Sequence, residues 1–286
     1  MANPKCLVTL AIGDAFRRWW ETYARASWAA YAGRHGYDIV VIEDYIDDGA
    51  RGRARSPHWQ KCLILEHARV AQYESAVCVD ADILINPHTA PCIVAATAAG
   101  RIGAVTHSSK HFNEEKLANI QDRQAGLLPQ AWLRENPRMP ARELYGRAGL
   151  GNDIDDWINT GVLALQPKTH APVLRQVYER YAENEYTAKE MMPLSYHLLK
   201  QGLVHALDTR FNKLWDEILV EHYPFLLAPE VRRDHRLVAL CVNAAYHNSF
   251  FLHFLHGVRG FASEVAADRP YAEAWRYIEA NYPPAG

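Results

Sequence analysis

Apolar residues are grouped in short continuous runs separated by polar stretches. Residues 6–11 (CLVTLA), 38–42 (DIVVI), 76–80 (AVCVD) and 102–106 (IGAVT) are too short for helices and rich in strand-forming side chains, so each reads as a buried strand. Between the first two the spacing changes. Phe16, Trp19, Trp20, Tyr23, Ser27, Trp28 and Tyr31 recur every three or four positions, which predicts a helix over 15–35. Gly33 and Gly36 punctuate its end. Residues 44–58, rich in Asp, Gly, Arg and Pro, read as a loop, and 59–72 as a second helix. Strands alternating with helices imply a mostly parallel sheet covered by helices. In such sheets ligands bind beyond the carboxyl ends of the strands. Further on, 162–165 reads as a strand, and 171–184 and 191–200 as helices. The polar stretch 107–156 resembles an insertion over the sheet, placed as a substrate lid would be. Tyr271, Trp275, Ile278 and Tyr282 share one face of a C-terminal helical segment. Its polar face carries Glu rather than the Lys and Arg of interfacial membrane helices, which favours packing on the core.

Composition narrows the class. Apolar residues make up 49% of the 286 and charged ones 22%, which suits a globular protein with a large core. A net charge of −2 lacks the basic excess of a general nucleic-acid binder. Arg51, Arg53 and Arg55 form a local basic patch that fits either a solvated loop or a phosphate-facing one. The five cysteines, Cys6, Cys62, Cys78, Cys92 and Cys241, are odd in number and lack CxxC spacing. They read as reduced thiols in a cytoplasmic protein. No signal peptide and no run of roughly 20 apolar residues stands in the sequence. The expectation is a cytoplasmic protein, with peripheral membrane association left open. Repeats and linkers are absent, so a single domain over 1–286 is the simplest organisation.

The sharpest chemical signal is Val77-Cys78-Val79-Asp80-Ala81-Asp82-Ile83-Leu84-Ile85. An apolar strand runs directly into two carboxylates, which are costly there unless paired or bound to a cation. If the extended chain continues, residues i and i+2 point the same way, and both carboxylates face one point. Such oxygens suit Mg²⁺ or Mn²⁺ shared with substrate phosphates. The alternative is structural: Asp82 caps a turn and Asp80 pairs with an arginine.

VCVDADILINP resembles the metal-binding motif of GT-A glycosyltransferases, particularly the glycogenin-like and galactosyltransferase-like retaining families. Further segments follow in the order of those families. Trp59-Gln60-Lys61 is similar to their segment before the metal strand, and Trp157-Ile158-Asn159-Thr160-Gly161-Val162 to their F-N-[ST]-G-V. Leu207-Asp208-Thr209-Arg210-Phe211-Asn212-Lys213-Leu214-Trp215 is similar to L-P-x-x-[FY]-N-x-x-[FW], and His253-Phe254-Leu255 to the start of H-F-x-G-x-x-K-P-W. The resemblance implies an α/β GT-A fold: a mostly parallel central sheet flanked by helices, with a Rossmann-like N-terminal half. That nucleotide-binding half would span about 1–106, and the acceptor, lid and C-terminal half about 107–286.

By the same resemblance, Asp80 and Asp82 hold a divalent metal, Mn²⁺ or Mg²⁺, that bridges the diphosphate of a nucleotide-sugar donor, by default a UDP-sugar. A C-terminal histidine completes the metal site. His253 matches that position, but the expected glycine three residues on is His256, with Gly257 after it, so His256 stands as the second candidate. Arg259 stands where the families carry a phosphate-binding lysine, and the following Pro-Trp is replaced by Gly260-Phe261. Arginine makes bidentate phosphate contacts, so it suits the role. Leu10, Ala11 and Ile12 match the base and ribose loop, and Lys61 stands within reach of a phosphate or ribose. Asp156 and Asn159 lie where donor-sugar hydroxyls are held. Glu190 is the candidate anomeric-face carboxylate, although Met191 and Met192 depart from the families' acidic pattern. The implied reaction moves a sugar to a hydroxyl acceptor on a glycan, glycolipid, protein or small molecule, with retention. An inverting route would need a carboxylate base, for which Asp153, Asp155, Asp156 and Glu190 are candidates.

Two other classes compete. A sugar nucleotidyltransferase usually carries a Gly-rich basic loop after its first strand, whereas LAIGDAFRRWW has a single glycine. A catalytically silent sugar-nucleotide-binding module of the same fold would not need Asp80, Asp82, His253 and Asn159 together.

Overall fold

Lys5–Leu10 forms β1, whose Cys6, Val8 and Leu7 are all fully buried on alternating faces. A strand buried on both sides belongs inside a covered sheet. Asp38–Ile42 (β2) and Ser75–Val79 (β3) pair with it in parallel on either side. The other strands are Ile83–Ile85 (β4), Ile102–Ala104 (β5), Val162–Leu165 (β6), Val204–Ala206 (β7), Lys213–Leu214 (β8) and Phe251–His253 (β9). The main sheet has the order β2-β1-β3-β6-β5-β7. The computed structural model describes residues 3–108, 140–184, 186–187, 189–255 and 258–266. The expected helix at 271–282, most of the expected lid and the candidate His256 lie outside the described residues.

The sheet is mostly parallel, as expected, with one exception. β6 runs antiparallel to both its neighbours, β3 and β5. A parallel strand needs a crossover to return it to the starting edge. β6 enters instead from the long stretch after β5, and its arrival places Gly161 beside Asp80: the Asp80 N–H donates to the Gly161 carbonyl at 2.8 Å.

Helices cover both faces. On one, Trp28 and Tyr31 pack in a cluster with Leu7, Val77 and Val79. On the other, Trp59, Leu63 and Leu174 pack with Cys6, Val8 and Cys78. Each large side chain buried in this way contributes about 1.5–3 kcal/mol. The segment expected as one helix over 15–35 is interrupted. Asp14–Trp19 is α-helical, Trp20–Ala24 is a π-helical turn, and Arg25–His35 is α-helical again. The extra residue in the π turn rotates the faces on either side of it. Trp20 and Trp28 then meet edge to face, 5.8 Å apart. Gly36 ends the helix at φ 69°, the left-handed conformation that glycine adopts without strain.

The expected helix at 59–72 is a 3₁₀ helix, Pro57–Glu66, followed by turns. Trp59 through Leu65 are all buried, between the sheet and the helix Pro167–Arg180. A run with no solvent face has no amphipathic period to read. The helix expected at 171–184 is that same Pro167–Arg180, started by Pro167 in its first turn. The one at 191–200 is Met191–Lys200. The expected strand at 102–106 shortens to β5, with an isolated bridge from Thr106 to Ile158 beyond it.

The basic patch is structural on two counts. Arg51 donates to the Glu179 carbonyl, and Arg55 to those of Tyr178 and Tyr181. Both hold the carbonyl end of Pro167–Arg180, where cations are favoured. All five cysteines are free. Among the described residues no helix is long and apolar enough to cross a membrane.

A second, three-stranded sheet has the order β4-β9-β8. β4 follows the Asp80-Ala81-Asp82 turn and pairs antiparallel with β9, placing Ile83 opposite His253. β8 pairs parallel with β9. This small sheet delivers the carboxylate pair, Asn212 and His253 to one place.

Candidate active site

Asp80 and Asp82 leave the carboxyl end of β3, but they do not continue it as a strand. The chain turns, with Ile83 N–H donating to the Asp80 carbonyl at 3.2 Å. The turn still aims both carboxylates at one imidazole. His253 Nε2 stands 3.1 Å from Asp82 Oδ1 and 4.0 Å from Asp80 Oδ2. Asp80, Asp82 and His253 each offer a ligand atom, and these atoms lie within 4.8 Å of one another.

Each carboxylate has a second partner. Asp82 Oδ2 accepts from Arg259 through Nε at 3.0 Å and Nη2 at 2.6 Å. Asp80 Oδ1 pairs with Lys61 Nζ at 2.8 Å. Arg259 therefore pairs with Asp82, and lysine, not arginine, is the partner of Asp80. Burial alone pushes the Asp82 carboxyl up, but the facing His253 and Arg259 outweigh it and hold the group below the usual carboxylate range. Burial likewise disfavours the Lys61 charge, yet Asp80 and Glu190 overcome it and raise its pKa.

Lys61 joins Glu190 to the cluster. Its Nζ lies 3.0 Å from Glu190 Oε1 and 3.1 Å from the Thr160 carbonyl. The Thr160 hydroxyl donates to the same Glu190 oxygen at 2.9 Å. Both Lys61 and Glu190 are buried. Lys189, just before Glu190, has φ 63°, a left-handed backbone that a side chain other than glycine's rarely adopts.

Leu10, Ala11 and Ile12 follow the carboxyl end of β1. The register pairs Val8 with Cys78, so Leu10 and Asp80 each lie two residues further along neighbouring strands. Ala11 N–H donates to the Ile42 carbonyl at 2.8 Å. Beyond them Phe16 lies under the Arg259 guanidinium, 4.4 Å from the ring centre, and edge-on to His58 at 6.5 Å.

Asn159 is held inside the site. Its Oδ1 accepts from Gly161 N–H at 2.9 Å and from Asn212 Nδ2 at 3.0 Å. Asp156 is placed differently. Its carboxylate accepts from the N–H and hydroxyl of Ser108 and the N–H of Trp157, which fastens the loop before β6. Asp153 pairs with Lys200 and accepts from the Tyr196 hydroxyl, and Asp155 pairs with Arg142. The structure thus brings together Lys61, Asp80, Asp82, Glu190, His253 and Arg259, with Asn159 alongside, and sets Asp153, Asp155 and Asp156 in other contacts.

Sequence reading gave no role to Asn212, Thr160 or Phe16. Asn212 had a visible signal: an amide between Phe211 and Leu214, both buried, must find partners inside.

The donor set suits a hard divalent cation. It offers two carboxylates and an imidazole. Counting Asp80, Asp82 and Glu190 against Lys61 and Arg259 leaves one negative charge uncompensated when His253 is neutral. Asp80, Asp82 and His253 are the residues that would hold such an ion.

A scan of protein-family models finds no match to the chain, and a sequence comparison with curated proteins finds none either. Three solved structures are similar to it. The bifunctional glycosyltransferase WbbM, in its apo form, matches at TM-score 0.50 and 12% identity, over 96% of this chain and 52% of that one. A glycosyltransferase involved in glycosylation of the major capsid of PBCV-1 matches at 0.46 and 14%, over 91% of this chain and 97% of that one. The galactosyltransferase LgtC, in complex with donor and acceptor sugar analogs, matches at 0.43 and 12%, over 95% and 99%. At these identities the likeness is one of fold, and WbbM carries it. With its mostly parallel sheet flanked by helices and an Asp-x-Asp turn at the end of β3, the chain has the fold of the GT-A glycosyltransferases.

Proposed function

We propose that the protein is a metal-dependent glycosyltransferase that moves a sugar from a nucleoside-diphosphate donor, by default a UDP-sugar, to a hydroxyl acceptor with retention. The observation that carries this reading is the convergence of Asp80, Asp82 and His253 at the carboxyl end of β3, with Arg259 on the far oxygen of Asp82. Bound there, Mn²⁺ or Mg²⁺ would supply Lewis-acid stabilisation of the departing diphosphate. Arg259 is a fixed cation beside the same carboxylate, positioned to bind phosphate oxygens as their charge grows. Leu10, Ala11 and Ile12 border the nucleotide's place on the neighbouring strand.

Among the described candidate bases, the contacts of Glu190 and Asp156 favour retention. A general base for inversion must be free to take a proton. Glu190 is committed to Lys61 and Thr160, and Asp156 to Ser108 and Trp157. Glu190 then serves as a buried anion near the reacting carbon, balanced by Lys61. Asp156 shapes the loop that leads into Asn159. The acceptor remains a hydroxyl on a glycan, glycolipid, protein or small molecule, and one domain carries the whole site.

The test is nucleotide release across UDP-, GDP- and ADP-sugars, with and without Mn²⁺, beside Asp82→Ala. Mn²⁺-dependent UDP release from one sugar, lost in the variant, is expected. Absence of both release and metal-dependent nucleotide binding would overturn the reading and leave a silent module of this fold.

A further inference from the structure

We propose that Asn212 is a positioning residue for His253: it dictates which ring nitrogen carries the proton and so turns the Nε2 lone pair toward Asp80 and Asp82. The inference deepens the proposed metal site and rests on that reading for its purpose, though not for its geometry.

The argument starts from a backbone group. Side-chain amides can be turned end for end without changing their shape, so their oxygen and nitrogen are assigned from their partners. Gly161 N–H is a donor under all conditions. It points at Asn159 Oδ1 from 2.9 Å, so that atom must be the amide oxygen. The same oxygen meets the Asn212 amide at 3.0 Å, so the atom facing it there must be the NH₂. The other end of Asn212 is then its oxygen, and it stands 3.2 Å from His253 Nδ1. An oxygen and a ring nitrogen attract only when the nitrogen carries a hydrogen. Nδ1 is therefore protonated, and in the neutral ring Nε2 is left with the lone pair, 3.1 Å from Asp82 Oδ1. A lone pair facing two carboxylates is repelled unless a cation or a second proton stands between them.

Burial makes the relay decisive. Asn212 is 0% exposed and His253 2%, so bulk water does not compete for Nδ1. The relay also explains the glycine. A Cβ on residue 161 would fall 2.6 Å from His253 Cε1 and 2.8 Å from Asn159 Oδ1. The residue that supplies the directing N–H must lack a side chain. Partners that fix a ligand's tautomer in this way typically change metal affinity by about 10–100-fold when removed.

Two measurements test this. In metal-free protein labelled with ¹⁵N-histidine, two-bond ¹H–¹⁵N correlations report which ring nitrogens carry a proton. The His253 signal among the 14 histidines is assigned from His253→Gln. A protonated Nδ1 is expected in the parent, with or without a second proton on Nε2 between the carboxylates, and a ring protonated at Nε2 alone would overturn the proposal. Mn²⁺ affinity, read by electron paramagnetic resonance, is then compared between parent and variant. Asn212→Ala is expected to weaken binding about 10–100-fold and to lose the preference for a proton on His253 Nδ1. Equal affinity of parent and Asn212→Ala, or an unchanged Nδ1 proton preference in the variant, overturns the proposal. If the parent takes up no Mn²⁺ but shows a protonated Nδ1, the metal reading fails and the positioning role stands. Should Asn212→Ala not fold, the protonation of the parent's ring decides.

Discussion

Lys61 carries its charge into a place closed to water, and Asp80 and Glu190 share it at 2.8 and 3.0 Å. Removing the cation leaves the buried Glu190 facing the partly exposed Asp80 with no charge between them. Lys61→Ala is therefore expected to cost about 3–5 kcal/mol in urea unfolding. Glu190→Gln keeps Lys61 paired with Asp80 and is expected to cost less. A Lys61→Ala variant as stable as the parent would show that the gap is wet. The order of motifs along the chain made Asp80, Asp82, His253 and Arg259 legible as one site before any coordinates. The union of Lys61 with Glu190 was not legible, since it depends on the turn before β6 bringing Thr160 against both. Nor was the role of Asn212, because an amide's partners are set entirely by what folds around it.

The helix Pro167–Arg180 shows what an element adds. Its first turn holds His170, buried, with Nδ1 accepting from Gln166 N–H at 2.9 Å. Burial disfavours the charged ring and lowers its pKa. The folded value thus lies below the unfolded value of about 6.5. The neutral ring's contribution is whole above that value and is lost as pH falls toward and through the lower folded one. Parent protein is expected to lose stability over this window, and His170→Gln to show a flatter profile in denaturant melts from pH 7.5 to 5. Identical slopes would mean that His170 is solvated. Elements with one wet face were legible from spacing, as for Arg25–His35 and Pro167–Arg180. The 3₁₀ helix Pro57–Glu66 was misread because nearly all of it is buried. The short strands β4 and β9 went unassigned because three residues carry too little pattern, and the pairing of Ile83 with His253 makes sense only once both exist.

For the whole molecule, three distant segments depend on one point. β3 brings the carboxylates, β8's approach brings Asn212, and β9 brings His253. A cation bound there ties them together and stabilises the folded state by mass action. At a hundred times its dissociation constant the gain is about 2.7 kcal/mol, or on the order of 5–10 °C in melting temperature for a chain of this size. Mn²⁺ is expected to raise the melting temperature of the parent by that order and to leave Asp82→Ala unchanged. An unmoved parent would argue that no ion binds.

The second sheet also sets an order of assembly during synthesis. Among the described residues β4 has a single partner strand, β9, which the ribosome makes long after it. Until residue 253 has emerged, Ile83-Leu84-Ile85 is an apolar strand with a bare edge, and the two aspartates before it lack their histidine and arginine. The nascent chain thus exposes a sticky segment through most of its translation. The same late strand that completes the candidate site is the one that covers this edge.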